Sequence, residues 1–380
     1  MRYLAILGRQ PAISLAELES ALGAESVEPF GGQALLAKLP NINRLGGTIK
    51  LAEVIYETKS SNSDLVAFLA TNLKLPASGK VTIGLSFYGQ IRTQPTKFGM
   101  ELKRHLKTSD RSIRLLLPKP RQSDLSAAQL KFNSIGINGI ELIIVRAGQK
   151  VVLAQTVQYQ DIDAYSARDY GRPGRNPKVG MLPPKLAQIM INLSGLKTGT
   201  ILDPFCGTGV ILQEARLMGF KAIGSDINPE MVAAAKANQN WLSQQFKDLP
   251  AWEASTGDAR TITIKPDSVI VSENYLGPMF DHSPTEDQLR LADTEVSTTT
   301  RQFLQRIHAQ IPTNIRIVLC LPAWQTSSGQ RLPRVVDEIP RLGYTLTKFR
   351  HASADQLVYL RPGQHVGRKI LVITKSHVKD

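Results

Sequence analysis

Over the second half of the chain, short apolar runs alternate with amphipathic stretches. Four of the runs have the length of buried strands, at 200–202, 222–225, 268–271 and 315–321. The stretches 210–218 and 229–241 between them carry apolar residues at helical spacing. Strands that alternate with helices predict a doubly wound, mostly parallel sheet. Such sheets bind ligands at the carboxyl ends of their strands, so functional residues are expected there.

The first half has a different order of elements. A strand-like run at 3–7 precedes Ser14-Leu15-Ala16-Glu17, a capping-box pattern that predicts the start of a helix. A second helix is predicted through Phe98, Leu102 and Leu106. Further strands are predicted at 81–87, 113–117, 140–145 and 151–156. The predicted domains are an α/β unit at 1–75, a second unit at 76–165, a Gly- and Pro-rich linker at 166–180 and a larger domain at 181–380.

Composition limits the class of protein. A chain of 380 residues with 42% hydrophobic and 21% charged residues is that of a globular protein with two or three domains. No apolar run approaches the length of a membrane span, so no membrane partner is expected. The two cysteines, Cys206 and Cys320, exclude a disulfide framework, fit the cytoplasm and are expected to be buried and inert. None of the six histidines has a metal-ligand spacing, so no metal is expected.

Charge is distributed unevenly. Of the net charge of +14, residues 1–180 carry about +10. Nine cations lie between residues 92 and 121, with only Glu101 and Asp110 against them. A basic half predicts a polyanionic partner, most simply a nucleic acid held through its phosphates. The residues predicted to make such contacts are Arg92, Lys97, Lys103, Arg104 and Lys107.

The strongest motif is the glycine-rich loop Asp203-Pro204-Phe205-Cys206-Gly207-Thr208-Gly209, between a predicted strand and a predicted helix. Glycine in such a turn lets the backbone approach a ligand closely. The loop lacks both the Gly-Lys-Ser/Thr of a phosphate-binding P-loop and the Gly-x-Gly-x-x-Gly of a dinucleotide fold. It resembles the first motif of class I S-adenosylmethionine (SAM) methyltransferases, in the variant found in enzymes that methylate exocyclic amines of bases.

This resemblance assigns cofactor-binding roles to residues at successive strand ends. It implies that Asp203 orients the amino-acid end of SAM, and that an acid about twenty residues on, Asp226, accepts from both ribose hydroxyls. A helix N-cap is the alternative role for Asp226, and the two are compatible. Ile227 would flank the adenine, and Asp258 would accept from its amino group. The cofactor-binding set is Asp203, Phe205, Gly207, Gly209, Asp226, Ile227, Asp258 and Ala259.

The fourth strand end departs from the family's pattern. Amino methyltransferases normally have Asp/Asn/Ser-Pro-Pro-Tyr/Phe there, and this chain has Ser272 to Gly277 as Ser-Glu-Asn-Tyr-Leu-Gly. One alignment places Glu273 on the acid and keeps Gly277. The other keeps Tyr275 as the aromatic and places Ser272 on the polar position. The predicted catalytic residues are Glu273, which would accept from the target amine, Asn274, and Tyr275, which would stack on the flipped base.

Several segments together resemble the THUMP-domain tRNA guanosine methyltransferases. They are Tyr3 to Arg9, the order of elements at 76–165, the linker with Leu182-Pro183-Pro184-Lys185-Leu186-Ala187, and Tyr359 to Arg368, interpreted as a turn between two closing strands. The resemblance implies an α/β fold, with a C-terminal class I, Rossmann-like SAM methyltransferase domain on a mostly parallel seven-stranded sheet. An N-terminal α+β, THUMP-containing region would bind tRNA, and the reaction would be N2-methylation of a guanosine, at position 10 in this family.

Two alternatives remain open from the sequence. The Asp-Pro-Phe loop is shared with enzymes that methylate adenine or cytosine in DNA or ribosomal RNA. The absence of both prolines from the fourth motif would also fit a catalytically weakened RNA-binding homologue.

Overall fold

The computed structural model describes residues 1–59, 62–75, 78–90, 94–108, 110–175 and 181–376. Within these residues the chain forms two compact units. The first comprises residues 1–11, 25–43 and 48–162, and the second comprises 12–24, 44–47 and 163–380. Two segments near the N-terminus thus belong to the second unit, although the sequence predicted one continuous unit over 1–75.

In the described residues, the first unit contains one sheet of eight strands, in the order β2-β3-β1-β4-β8-β7-β5-β6. The strands are β1 (Tyr3–Leu7), β2 (Val27–Phe30), β3 (Gln33–Leu36), β4 (Thr48–Thr58), β5 (Gly79–Gly89), β6 (Arg111–Leu116), β7 (Gly139–Ala147) and β8 (Lys150–Tyr159). Because β4 pairs with β8, a single sheet joins the two predicted units, and the predicted boundary at residue 75 does not separate two sheets.

The first four helices of the chain are α1 (Pro11–Leu22), α2 (Asn62–Asn72), α3 (Pro95–Leu106) and α4 (Ala127–Phe132). The predicted apolar stripe of α3 is present, because Phe98, Leu102 and Leu106 are buried in the core of the first unit. The charged residues between them are left on the opposite side of the helix, as amphipathic spacing requires.

A buried ion pair connects four strands of this sheet. Lys50 on β4 and Glu141 on β7 are both fully buried, and Lys50 Nζ lies 2.5 Å from Glu141 Oε1. The Ser86 hydroxyl on β5 donates to the same oxygen at 2.5 Å, and the Thr156 hydroxyl on β8 donates to Oε2. A buried charge is tolerated when it is paired and hydrogen-bonded in this way. The ion pair and its two hydroxyl donors therefore link side chains from all four strands.

The second unit contains the alternating elements that the sequence predicted. Its helices are α5 (Ile162–Tyr170), α6 (Pro184–Leu193), α7 (Val210–Leu217), α8 (Pro229–Gln245), α9 (Glu286–His308) and α10 (Val335–Glu338). Its strands are β9 (Thr200–Asp203), β10 (Lys221–Asp226), β11 (Trp252–Thr256), β12 (Ser268–Glu273), β13 (Arg316–Thr326), β14 (Gly329–Arg331), β15 (Tyr344–Leu346), β16 (Val358–Tyr359) and β17 (Val366–Lys375).

Seven of these strands, within the part of the chain that is described, lie in the order β11-β10-β9-β12-β13-β17-β15. The first five are mutually parallel, and β17 runs antiparallel to both of its neighbours. The short strands β14 and β16 pair with β13 and β17. Consecutive residues of β9 bury opposite faces, since Ile201 packs with α6 and α7 and Leu202 packs with α9. The mostly parallel seven-stranded sheet predicted from sequence is confirmed.

Two local predictions were wrong, and the alternative N-cap role of Asp226 is not observed. Helix α1 begins at Pro11, so Ser14 and Glu17 lie inside the helix and do not form a capping box. The N-cap of α8 is Asn228, whose side chain accepts from Glu230 N at 2.8 Å, and it is not Asp226. The segment 359–368 is not wholly a turn, because Val366 to Arg368 pair with β13 as part of β17.

Glu17 instead binds the backbone of a glycine pair within the second unit. Its two carboxylate oxygens accept from Gly46 N at 2.9 Å and Gly47 N at 2.8 Å, and Asn192 Nδ2 donates to it at 2.8 Å. A Cβ at Gly46 would lie 1.9 Å from the carbonyl oxygen of Lys185, so glycine is required there. The carboxylate thus connects α1 and the 44–47 segment to α6.

We expect Glu17→Ala to lower the free energy of unfolding by about 3 kcal/mol, because it leaves two buried backbone N–H groups without acceptors. Chemical denaturation monitored by circular dichroism measures the change. Glu230→Ala, at an exposed carboxylate in the same unit, is the control and should change stability little. Equal effects of the two substitutions would contradict this role of Glu17.

Candidate active site

A cavity of about 510 Å³ lies at the carboxyl ends of β9, β10 and β12, within the second unit. Ten of the eleven residues predicted to bind cofactor or act in catalysis line it: Asp203, Phe205, Gly207, Asp226, Ile227, Asp258, Ala259, Glu273, Asn274 and Tyr275. Parallel pairing places these strand ends at one edge of the sheet, as expected for a doubly wound fold. Gly209 is the exception, since it is outside the cavity wall.

The two glycines of the loop have different structural roles. Gly207 has φ +48°, and a Cβ built on it would meet no atom within 4 Å. Gly209 has φ +79° and forms the N-cap of α7, with its N–H donating to the Cys206 carbonyl oxygen at 2.7 Å. A Cβ there would lie 3.1 Å from Ala235 on α8. Gly209 therefore allows the tight turn and close helix packing, whereas Gly207 keeps the backbone beside the cavity open.

Asp203 ends β9 and is almost completely buried. Its Oδ1 accepts from the Ser272 hydroxyl at 2.5 Å and from Phe205 N at 3.2 Å. Burial raises the pKa of this carboxyl to about 8, the two hydrogen bonds oppose the rise, and the neighbouring carboxylates of Asp226 and Glu273 add to it. A bound cation would therefore favour loss of this proton and pair with the resulting carboxylate.

Asp226, at the end of β10, holds the glycine loop against the strand ends. Its Oδ2 accepts from Gly207 N at 2.9 Å and its Oδ1 accepts from Asn228 N at 2.9 Å. Each carboxylate oxygen has further lone pairs, so these bonds leave acceptor capacity for a ligand's hydroxyl groups. Ile227 follows it with 64% of its surface exposed, on the cavity wall.

Two other predicted cofactor residues have additional partners. Asp258 pairs with Arg260, with its Oδ2 lying 2.6 Å from Nη2, and this hydrogen bond keeps the pKa of the carboxyl below its usual range. Phe205 packs edge-to-face on Phe303 of α9 at a centroid distance of 5.4 Å. Arg260 therefore holds the Asp258 carboxylate on the cavity wall, and packing on Phe303 holds the Phe205 ring.

The fourth strand end favours one of the two alignments. Ser272 is fully buried, binds Asp203 and does not line the cavity, whereas Glu273 does line it. Arg368 Nε on β17 donates to Glu273 Oε1, with the two side chains only 6% and 18% exposed. Burial lowers the pKa of Arg368, but Glu273 outweighs this effect and holds it above the usual value. The structure thus places Glu273, and not Ser272, on the cavity wall, and its catalytic role stays a prediction.

Sequence reasoning missed this use of Arg368. It was predicted to be part of a turn between two closing strands. The signal that could have identified it is the unbroken run Ile370 to Ile373 directly after it, which predicts a buried strand that extends back through Arg368.

Asn274 and Tyr275 both lie on the cavity wall but differ in burial. The Asn274 side chain is buried, and neither of its amide atoms has a hydrogen-bond partner among the described residues. Tyr275 is 44% exposed, and its hydroxyl donates to Glu295 Oε2 at 3.2 Å. Burial, and then the Glu295 charge, raise the pKa of this phenol. Its ring is free to contact a planar ligand.

Of the predicted RNA-binding residues, Lys97, Arg104 and Lys107 are exposed and Lys103 is half-buried, on or next to α3. None of the four forms an ion pair with another described residue. Arg92 lies outside the described residues. The exposed cations are therefore available for anionic contacts on the first unit.

The described residues also bear on thiol chemistry, metal binding and membrane insertion. Cys206 and Cys320 are free and buried, and burial raises the pKa of both thiols, as expected for inert cysteines. No group of three or more His, Cys, Asp or Glu side chains in the described ranges could hold a metal ion. No helix in those ranges is long and apolar enough to cross a membrane.

The strand order of the second unit is that of a doubly wound sheet with one antiparallel strand near its edge, and the cavity lies at the carboxyl ends of its parallel strands. The crystal structure of TrmN from Thermus thermophilus superposes with a TM-score of 0.54 at 16% identity, covering 99% of this chain and 100% of that one. The similarity spans both units and shows a shared fold.

Sequence comparisons match segments of the chain to a family model and to named enzymes. A DNA methylase family model matches residues 160–237. The chain is 42% identical over 112 residues to the tRNA (guanine(10)-N2)-dimethyltransferase of Methanothermobacter thermautotrophicus, and 54% identical over 81 residues to that of Pyrococcus abyssi. These alignments span 29% and 21% of this chain, and 31% and 23% of the relatives' own lengths. The predicted resemblance to tRNA guanosine methyltransferases is confirmed in the aligned segments. A THUMP domain stays a prediction.

The raised pKa of Asp203 gives a testable dependence on pH. The folded protein keeps this proton up to about pH 8, whereas the unfolded chain loses it near pH 4, so the free energy of unfolding falls as pH rises between these values. Asp203→Asn removes the titration. We therefore expect the melting temperature of the variant minus that of wild type to be more positive at pH 9 than at pH 6.

Thermal unfolding at both pH values measures this difference, and other titrating groups cancel because they are common to both proteins. The same wild-type-to-variant difference at pH 6 and pH 9 would contradict a buried, protonated Asp203.

Proposed function

We propose that this protein transfers a methyl group from SAM to the exocyclic N2 amine of a guanosine in tRNA, at position 10. The observation that carries the proposal is the convergence of Asp203, Asp226 and Glu273 on one cavity at the strand ends. Relatives named tRNA (guanine(10)-N2)-dimethyltransferases support the choice of acceptor. The two buried free thiols fit a cytoplasmic protein.

The residues of the cavity fit SAM by their chemistry. A volume of about 510 Å³ is in the range of small-molecule sites. Asp203 would accept from the ammonium group, Asp226 from the ribose hydroxyls, and Ile227 and Ala259 would contact the adenine. SAM supplies an electrophilic methyl group on a sulfonium centre, and three neighbouring carboxylates favour a cationic ligand.

Glu273 would act on the acceptor side. Arg368 holds one of its oxygens, and the other, Oε2, makes no hydrogen bond within the described residues. That oxygen can accept from the target amine, orient its lone pair towards the methyl group and stabilise the positive charge that develops on the nitrogen. Tyr275 would stack on the base after it leaves the RNA helix.

The direct test is methyl transfer itself. The protein is incubated with methyl-labelled SAM and unmodified tRNA, DNA or ribosomal RNA, and the labelled nucleoside is identified after digestion. We expect N2-methylated guanosine from tRNA. Labelled adenine or cytosine, the acceptors of other amino methyltransferases, would overturn the choice of base, and no label in any nucleic acid would favour a binding protein without catalysis.

The role of Glu273 predicts a specific kinetic loss. Glu273→Gln should lower the rate of methyl transfer at saturating substrates by about 100-fold, because the amide carries no charge to stabilise the developing cation. Affinity for S-adenosylhomocysteine, measured by calorimetry, should change less than about twofold. Glu253→Gln, at an exposed carboxylate of β11, is the matched control and should retain full activity. Undiminished transfer by the Glu273 variant would contradict the role.

The exposed cations of α3 predict salt-dependent RNA binding. Replacing Lys97, Arg104 and Lys107 by alanine should weaken tRNA binding and reduce the slope of log affinity against log salt concentration, by roughly one unit for each phosphate that the variant no longer neutralises. Binding measured between about 50 and 200 mM salt tests this. Lys38→Ala, at an exposed lysine elsewhere in the first unit, is the control. An unchanged slope would show that tRNA does not contact α3.

A further inference from the structure

Arg172 has an unusual environment for a cation. Only 2% of the residue is exposed, and its Nη2 donates to the thioether sulfur of Met181 at 3.2 Å. Its Nε and Nη1 are buried and have no hydrogen-bond partner among the described residues. A thioether is a weak acceptor, and a buried guanidinium with unsatisfied donors is costly. The side chain could therefore bind an anion that none of the described residues provides.

The backbone around Arg172 is tied to the glycine loop. Gly174 N donates to Asn238 Oδ1 at 2.7 Å, and Asn238 Nδ2 donates to the carbonyl oxygens of Gly174 at 2.9 Å and Thr208 at 2.8 Å. A Cβ at Gly174 would lie 2.7 Å from the Ala234 carbonyl oxygen, so the segment packs directly on α8. Thr208 and Met181 both line the cavity. Arg172 thus lies directly behind Met181, a residue of the cavity wall, on the side of the glycine loop.

Nearby acids do not satisfy the guanidinium. Asp169 and Glu214 attract it through space, Arg175 repels it, and burial is the largest influence, lowering its pKa. The Glu214 oxygens already accept from Arg168 at 2.9 Å, from Gln188 at 3.0 Å and from Gln213 at 3.1 Å. Within the described residues, therefore, no acid completes the site, and a ligand anion could do so.

We propose that Arg172 binds the α-carboxylate of the methionine moiety of the cofactor, which replaces the Met181 sulfur as the acceptor. This inference rests on the proposed function. Asp203 and Arg172 would then bind the two ends of a zwitterionic amino acid, the ammonium group by an acid and the carboxylate by a base. The flexible Met181 side chain can move aside without a change of backbone.

The test compares two adenosine ligands that differ in the carboxylate. S-adenosylhomocysteine has the amino-acid moiety, and 5′-methylthioadenosine lacks it. We expect Arg172→Met to lower affinity for S-adenosylhomocysteine by about tenfold or more, as for loss of a charge-assisted hydrogen bond, and to leave affinity for 5′-methylthioadenosine within about twofold. Arg175→Met is the matched control, since this neighbouring arginine packs on Tyr170 at 4.9 Å and should affect neither ligand.

A second measurement uses the free protein. Because Arg172 has unsatisfied donors, Arg172→Met should unfold at the same or a higher temperature than wild type without ligand, and S-adenosylhomocysteine should raise its melting temperature less than that of wild type.

A lower melting temperature of the ligand-free variant, or equal losses of affinity for the two ligands, would contradict the inference. Loss of tRNA affinity alone would assign Arg172 to an RNA phosphate. Absence of S-adenosylhomocysteine binding by wild type would overturn the proposed function instead.

Discussion

The candidate site depends on one electrostatic constraint, which is that parallel strand pairing brings three carboxylates to the same edge of a sheet. Asp203, Asp226 and Glu273 end β9, β10 and β12, and each requires its own compensation. A serine hydroxyl donates to Asp203, backbone N–H groups donate to Asp226, and Arg368 pairs with Glu273. Burial above all, and then the charges of Asp226 and Glu273, raise the pKa of Asp203 to about 8. A cationic ligand would favour its ionised form.

The fourth strand end shows how the third of these carboxylates is held. Asn274 and Tyr275, which follow Glu273, both line the cavity, and the Tyr275 hydroxyl donates to Glu295. Glu273 itself is fixed by an arginine from β17. The departure from the Pro-Pro pattern therefore leaves a carboxylate on the cavity wall, where an ion pair holds it in place.

Local patterns in the sequence were sufficient for much of the fold. The strand before the glycine loop, the helix after it and the acids at strand ends all follow from short-range periodicity, and the structure places them at one cavity. Contacts between distant residues were not predictable in this way. Arg368 and Glu273 are 95 positions apart, and Glu17 and Asn192 are 175 apart. Glu17 looked like a helix cap because the sequence shows nothing of the Gly46–Gly47 backbone that it binds.

The central claim is that the guanosine N2 amine at position 10 of tRNA is the acceptor, and mapping the methyl group in the RNA tests it most directly. Unmodified tRNA is treated with the protein and SAM, cleaved by a guanosine-specific ribonuclease, and its fragments are sequenced by mass spectrometry. The result expected is a mass increase of one or two methyl groups on the fragment that contains position 10, lost when that guanosine is replaced by adenosine. Methylation at any other nucleotide, or persistence after the replacement, would contradict the claim.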